Sequence, residues 1–154
     1  DDGVVEGVKD SSGTGELLAA LHVLRATRGF ELVSTLGTTQ RATTAFALGA
    51  QGIVPGLANA IPAIFARAWA AGHAGNLEAV RTCDELIVIA MDLQSLVNAG
   101  MSAQGAVYAG LKAALVEIGV LDTDHVTAPF RPLTQEERRE IPTILERLGL
   151  CNDK

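Results

Sequence analysis

The chain has 154 residues, 48% of them hydrophobic and 19% charged, which suits one folded core and excludes a disordered chain. A net charge of −6 disfavours nucleic-acid binding, which needs a basic face, and aromatic residues at 4% are too few for a base-stacking platform. Ala60 to Ala71, the most apolar stretch, is broken by Arg67 and falls short of the roughly 18 apolar residues of a membrane span. No basic n-region with an apolar core opens the chain, so no signal peptide is expected. Cys83 and Cys151 form no CxxC motif, and no histidine has ligand spacing to either. Two free thiols in a reducing, cytoplasmic compartment are therefore expected.

In chain order, Val4–Val8 reads as a strand, closed by the Asp10-Ser11-Ser12-Gly13 turn cluster. A helix follows, with Leu17, Leu21 and Leu24 on one face and Gly29 as its stop. Phe30–Leu36 reads as a second strand ending at Gly37, and Arg41–Leu48 as a short helix stopped by Gly49. Gly52–Pro55 is a third, very short strand. Ile61–Ala71 is a helix stopped by Gly72, with Pro62 in the first turn, where its missing N–H costs little. This strand–helix alternation predicts right-handed βαβ units and a parallel sheet.

Beyond Gly72 no further strand is expected. Asn76–Asn98 reads as a long helix ending at Gly100, with Leu77, Val80, Leu86, Ile87 and Ile89 available for burial. Ser102 is placed to cap a helix reaching Glu117 or Ile118, stopped by Gly119. Leu121–Pro132 is a loop. Thr134-Gln135-Glu136-Glu137 is a capping box, starting a helix that runs to about Leu148. Pro142 inside that pattern predicts a kink or break. Residues 1–74 thus form three βα units and residues 75–154 a helical extension. Parallel sheets are normally covered on both faces, and a three-stranded one leaves two bare edges. The βα part looks structurally incomplete, since a closed (β/α)8 barrel takes about 250 residues.

Function in such folds collects at the C-terminal ends of the strands. Three segments qualify: Lys9 to Gly13, Gly37 to Gln40, and Val54 to Asn59. Alternation puts Val5, Gly7 and Lys9 on one face, and Val4, Glu6 and Val8 on the other. With Lys9 among apolar walls, desolvation favours the neutral amine, which can attack a carbonyl. On spacing alone the plainer reading is favoured: a lysine that merely ends a strand in solvent. Other signals are weak. Gly13-Thr14-Gly15-Glu16-Leu17-Leu18 has Leu18 where a dinucleotide fingerprint needs its third glycine, and no P-loop occurs. His22, His73 and His125 are scattered, and Arg138 and Arg139 among glutamates read as a solvated helix face.

The segment Gly7-Val8-Lys9-Asp10-Ser11-Ser12-Gly13 resembles the active-lysine strand of the dihydrodipicolinate synthase/N-acetylneuraminate lyase family. Leu48-Gly49-Ala50-Gln51-Gly52-Ile53-Val54 with Leu57-Ala58-Asn59 resembles its eighth strand and following turn, and Pro132-Leu133-Thr134 before Glu136-Glu137 resembles its C-terminal extension. The resemblance implies an α/β fold: strands six to eight of a (β/α)8 TIM barrel, plus a three-helix extension. It implies a lyase, aldolase or synthase acting on pyruvate or another 2-oxo acid, with no cofactor beyond a covalent Schiff base. It makes Lys9 the Schiff-base lysine and places Gly37, Thr39 and Val54 around the substrate. It also implies a homo-oligomeric full-length parent whose Gly-Thr-Thr turn and proton-relaying tyrosine lie in the first five strands. Tyr108, in an extension helix, does not match that tyrosine. Sialic-acid lyases carry an acidic pair where this chain has Thr39 and Gln40, and a serine where it has Gly56. Both departures weigh against sialic acid. The alternative is a non-catalytic half-barrel that serves binding or oligomerisation.

Overall fold

The computed structural model describes residues 5–29, 32–37, 42–97 and 99–150. Strands β1 (Gly7–Asp10), β2 (Val33–Leu36) and β3 (Gly52–Ile53) form one parallel sheet in the order β1-β2-β3. Helices α1 (Glu16–Arg28), α2 (Ala42–Ala47) and α3 (Pro62–His73) follow the three strands in turn. Helices α4 (Leu77–Met91), α5 (Ala103–Glu117) and α6 (Ile141–Arg147) complete the chain. The chain divides into two compact units: one of residues 1–58 and 62–85, the other of residues 59–61 and 86–154.

In the first unit, Lys9 pairs in register with Thr35, and Thr35 with Gly52. Leu18 of α1, Leu36 of β2 and Ala45 of α2 form a buried cluster, with Leu48, Ile53 and Trp69 packed against it. One face of the sheet, carrying Asp10, Ser34 and Leu36, is therefore buried beneath helices. On the other face Gly7, Lys9 and Val33 are exposed. Val5, Val33 and Val54 are 58%, 51% and 49% exposed, so this apolar face is open.

The ladder with β2 sets the limits of β1, so the strand takes in Lys9 and Asp10 rather than ending at Val8. Glu6, which alternation puts on the face opposite Lys9, is exposed. Leu18, not the expected stripe of Leu17, Leu21 and Leu24, carries the burial of α1, and Leu17 and Leu24 are exposed. α1 is apolar on more than one side, and periodicity cannot choose between adjacent stripes. Gly29 ends α1 as expected, in the left-handed region at φ 66°, its N–H donating to the Arg25 carbonyl. Gly72 does not end α3, which runs on to His73. Its missing Cβ makes room for the Phe46 ring, which stacks on Trp69 with centroids 4.7 Å apart. Asp84 of α4 holds the start of α2, accepting from the Ala42 N–H at 2.7 Å and from the Thr43 N–H and hydroxyl.

α4 stops at Met91, short of the expected Asn98, and a 3-10 turn over Asp92–Gln94 follows. Of its expected core residues, Val80 and Ile87 are buried, whereas Leu77 is exposed. In the second unit the Leu93 carbonyl lies against Gly110 of α5, where a Cβ would overlap it. Gly110→Ala is expected to cost about 2 kcal/mol despite alanine's better helix propensity, because a backbone carbonyl cannot swing aside. The loss is measured by urea unfolding followed through the helical circular dichroism signal. Ser102 caps α5 as expected, its hydroxyl accepting from the Gly105 N–H at 3.2 Å.

The capping box closes reciprocally. The Glu137 N–H donates to the Thr134 hydroxyl at 3.2 Å, and the Thr134 N–H to Glu137 Oε2 at 2.8 Å. The helix then breaks as Pro142 predicts: Glu137–Glu140 is a 3-10 turn, and α6 starts at Ile141 with the proline in its first turn. No strand follows β3 among the described residues, and none of their helices is long and apolar enough to cross a membrane.

Candidate functional site

The C-terminal end of the sheet gathers the candidates from two strands and one loop. Lys9 is exposed on the open face, so the apolar walls expected around its amine are not supplied by the described residues. Gly37 follows β2 directly, and its N–H donates to the Asp10 carbonyl at 2.7 Å. A Cβ built on Gly37 would collide with Ser11 Oγ and lie 2.5 Å from Lys9 Cε. The lysine side chain and the Ser11 hydroxyl therefore converge on the space that glycine leaves empty. Strand alternation could not find Ser11, because it sits in the loop after β1, where no periodicity applies.

Behind this point the loop is tightly bonded. Asp10, 1% exposed, accepts from the Ser12 N–H at 2.9 Å and from the Leu18 N–H at 3.3 Å. The Ser12 hydroxyl, then the Ser12 and Leu18 amides, hold the Asp10 carboxyl below its ordinary range against the opposing effect of burial. An amine, a hydroxyl and a fixed loop at the end of a parallel sheet can hold a small carbonyl compound for nucleophilic attack.

The other expected positions are placed as follows. Val54 donates its N–H to the Leu36 carbonyl at 2.8 Å, so that amide belongs to the sheet, while its side chain is half exposed. Thr39 and Gln40 lie outside the described residues, as do Val4, Phe30 and Cys151. Pro55 is buried and Gly56 is exposed. Tyr108 lies on α5 against Phe130, in the second unit. Cys83 is a buried free thiol. His73 contacts the Trp69 carbonyl at 3.1 Å. No group of three or more histidine, cysteine, aspartate and glutamate side chains among the described residues could hold a metal ion.

A family model described as the dihydrodipicolinate synthetase family matches residues 3–148. The chain belongs to this family. Among solved structures, dihydrodipicolinate synthase from Bacteroides thetaiotaomicron matches at 26% identity with a TM-score of 0.80, over 96% of this chain and 48% of its own. YagE, a protein of the dihydrodipicolinic acid synthase family from E. coli K12 solved with pyruvate, matches at 19% identity with a TM-score of 0.79, over 96% of this chain and 47% of its own. Dihydrodipicolinate synthase from Thermotoga maritima has the same fold at 18% identity and a TM-score of 0.77, over 95% of this chain and 46% of its own. The chain thus spans about half the length of the solved structures it matches. No curated protein sequence gives a significant match. Within this dihydrodipicolinate synthetase family chain, the three parallel strands and the helices after them are one part of a larger family fold.

Proposed function

We propose that this chain carries the nucleophile half of a Schiff-base lyase, aldolase or synthase site for pyruvate or another 2-oxo acid, with Lys9 as the nucleophile. The observation that carries this reading is the convergence of Lys9 Cε and Ser11 Oγ at Gly37, at the C-terminal end of the sheet. Membership of the family supports the reaction type, and the pyruvate bound to YagE supports the substrate class. In this reading residues 1–74 are strands six to eight of a (β/α)8 barrel, and residues 75–154 are its extension. The open face of Val5, Val33 and Val54 is where the remaining strands pack, enclosing and desolvating the amine.

The neutral Lys9 amine attacks the C2 carbonyl of the 2-oxo acid, and the carbinolamine loses water to give an iminium ion. Ser11 Oγ offers a hydrogen bond beside the forming adduct. The iminium draws electrons from C3: a proton leaves C3 to a base, or, in a 4-hydroxy substrate, the C3–C4 bond breaks as the hydroxyl loses its proton and C4 departs as an aldehyde, giving an enamine in either case. The enamine adds to an aldehyde, or is protonated at C3. Hydrolysis then returns the ketone and frees Lys9. Gly37 keeps space for the lysine stem, and the family resemblance assigns Val54 and Thr39 to substrate binding. The Leu57-Ala58-Asn59 turn resembles that of the family's oxo-acid members more than that of its sialic-acid lyases.

Borohydride reduction of the full-length parent in the presence of pyruvate is the test: it should leave a stable carboxyethyl adduct on Lys9, and absence of an adduct there contradicts the assignment. Gly37→Ala is expected to lower the rate of adduct formation by about 10-fold or more, because the new methyl takes the place of the lysine stem. The time course of adduct mass checks this. The second reading, a non-catalytic half-barrel module, draws support from the open sheet face, and it predicts no pyruvate adduct.

A further inference from the structure

We propose that Asp10 is a positioning residue for the Lys9 site, fixing the loop after β1 and the end of β2 around the amine while its own carboxylate points the other way. The inference rests on the reading of Lys9 as nucleophile. It starts from alternation: Lys9 lies on the open face, so its chain neighbour Asp10 is directed into the buried face.

Three backbone N–H groups then donate to this one residue from three directions. Oδ1 accepts from the Ser12 N–H at 2.9 Å and folds the loop back on the strand. Oδ2 accepts from the Leu18 N–H at 3.3 Å. That amide is in the first turn of α1, whose N-cap is Gly15, with no side chain to cap it. Asp10 therefore supplies from β1 the cap the helix lacks. Its carbonyl accepts from the Gly37 N–H at 2.7 Å and anchors the glycine beside Lys9 Cε.

The two side-chain bonds use two different oxygens, so a carboxylate is needed. Asparagine keeps one acceptor oxygen and offers an N–H₂ where the second amide looks for an acceptor. Leu18 is 1% exposed, so its amide would find no water in exchange. Released at either end, the Ser11–Gly15 loop no longer holds the Ser11 hydroxyl against the Gly37 space.

The chain has three lysines, Lys9, Lys112 and Lys154, which provides an internal reference. The full-length parent, in which the remaining strands enclose the amine, is incubated with pyruvate and cyanoborohydride, and adduct at Lys9 is read against adduct at Lys112 in one digest. Wild type, Asp10→Asn, Asp10→Ala and Asp84→Ala are compared at a temperature where circular dichroism reports all of them folded. Asp84→Ala loosens the same unit at α2, away from the loop. The Lys9 to Lys112 ratio is expected to fall about 10-fold in Asp10→Asn, and further in Asp10→Ala, while staying near wild type in Asp84→Ala. If Asp10→Ala does not fold, Asp10→Asn carries the comparison. An unchanged ratio in the Asp10 variants overturns the role of Asp10 and leaves the Lys9 reading standing. An equal fall in Asp84→Ala also overturns it, since any loosening would then suffice. A wild-type chain without preference for Lys9 overturns both.

Discussion

Glu137→Ala should destabilise the helical unit by about 3 kcal/mol at neutral pH, with the deficit vanishing in acid. Glu137 is 7% exposed and takes a bidentate pair from Arg131, at 2.8 and 2.9 Å, plus the Thr134 N–H at 2.8 Å. Removing it deletes charge-assisted bonds and leaves a guanidinium still tied to the Pro132 and Ala99 carbonyls. The Arg131 side chain is 37% exposed and can rehydrate, which keeps the loss at the low end for a broken buried pair. Bonding from Arg131, then from the Thr134 amide, lowers the Glu137 carboxyl from 4.5 to about 2. Between those values the unfolded chain binds the proton and the folded chain does not. The contribution of Glu137 is therefore complete above about pH 4.5 and is lost as pH falls through about 2. Urea unfolding of wild type and variant at pH 7 and near pH 2 checks both the size and the sign. A gap that is the same at both pH values would contradict the pairing.

Lys9→Arg should leave the chain folded and abolish its pyruvate adduct. Lys9 is exposed, so arginine meets no steric barrier, and the sheet register does not depend on the side chain. Arginine keeps the positive charge but stays protonated at any working pH, so it cannot form the imine. A stability change above about 0.5 kcal/mol would show that Lys9 has a packing role instead. Intact mass after borohydride treatment, beside a urea titration, separates the two results. An adduct that survives in Lys9→Arg would assign it to Lys112, Lys154 or the N-terminus.

The βα alternation was legible because each strand is short, β-rich and punctuated by glycine. Gly29 and Gly49 hold the positive φ that such stops require. Gly72 misled for a physical reason: its lack of a Cβ serves the Phe46 ring, a contact between α2 and α3 invisible along the chain. The length of α4 misled similarly, since the chain passes into a 3-10 turn at Asp92, where Leu93 faces Gly110. The Thr134 and Glu137 box and the break at Pro142 were readable because both act within one turn of helix. At the site, alternation grouped Lys9 with Val5 and Gly7, and the structure shows that this face is the open one. Ser11 and the Ser12 and Leu18 amides that Asp10 binds lie beyond the strand, where its two-residue period says nothing.

Peptide mapping of the full-length parent after pyruvate and cyanoborohydride tests the central claim most directly, because Lys9, Lys112 and Lys154 lie far apart in sequence and fall in separate peptides. The account predicts the carboxyethyl adduct chiefly on the peptide containing Lys9, and none there when pyruvate is left out. Label shared evenly among Lys9, Lys112 and Lys154, or absent from Lys9, would contradict it.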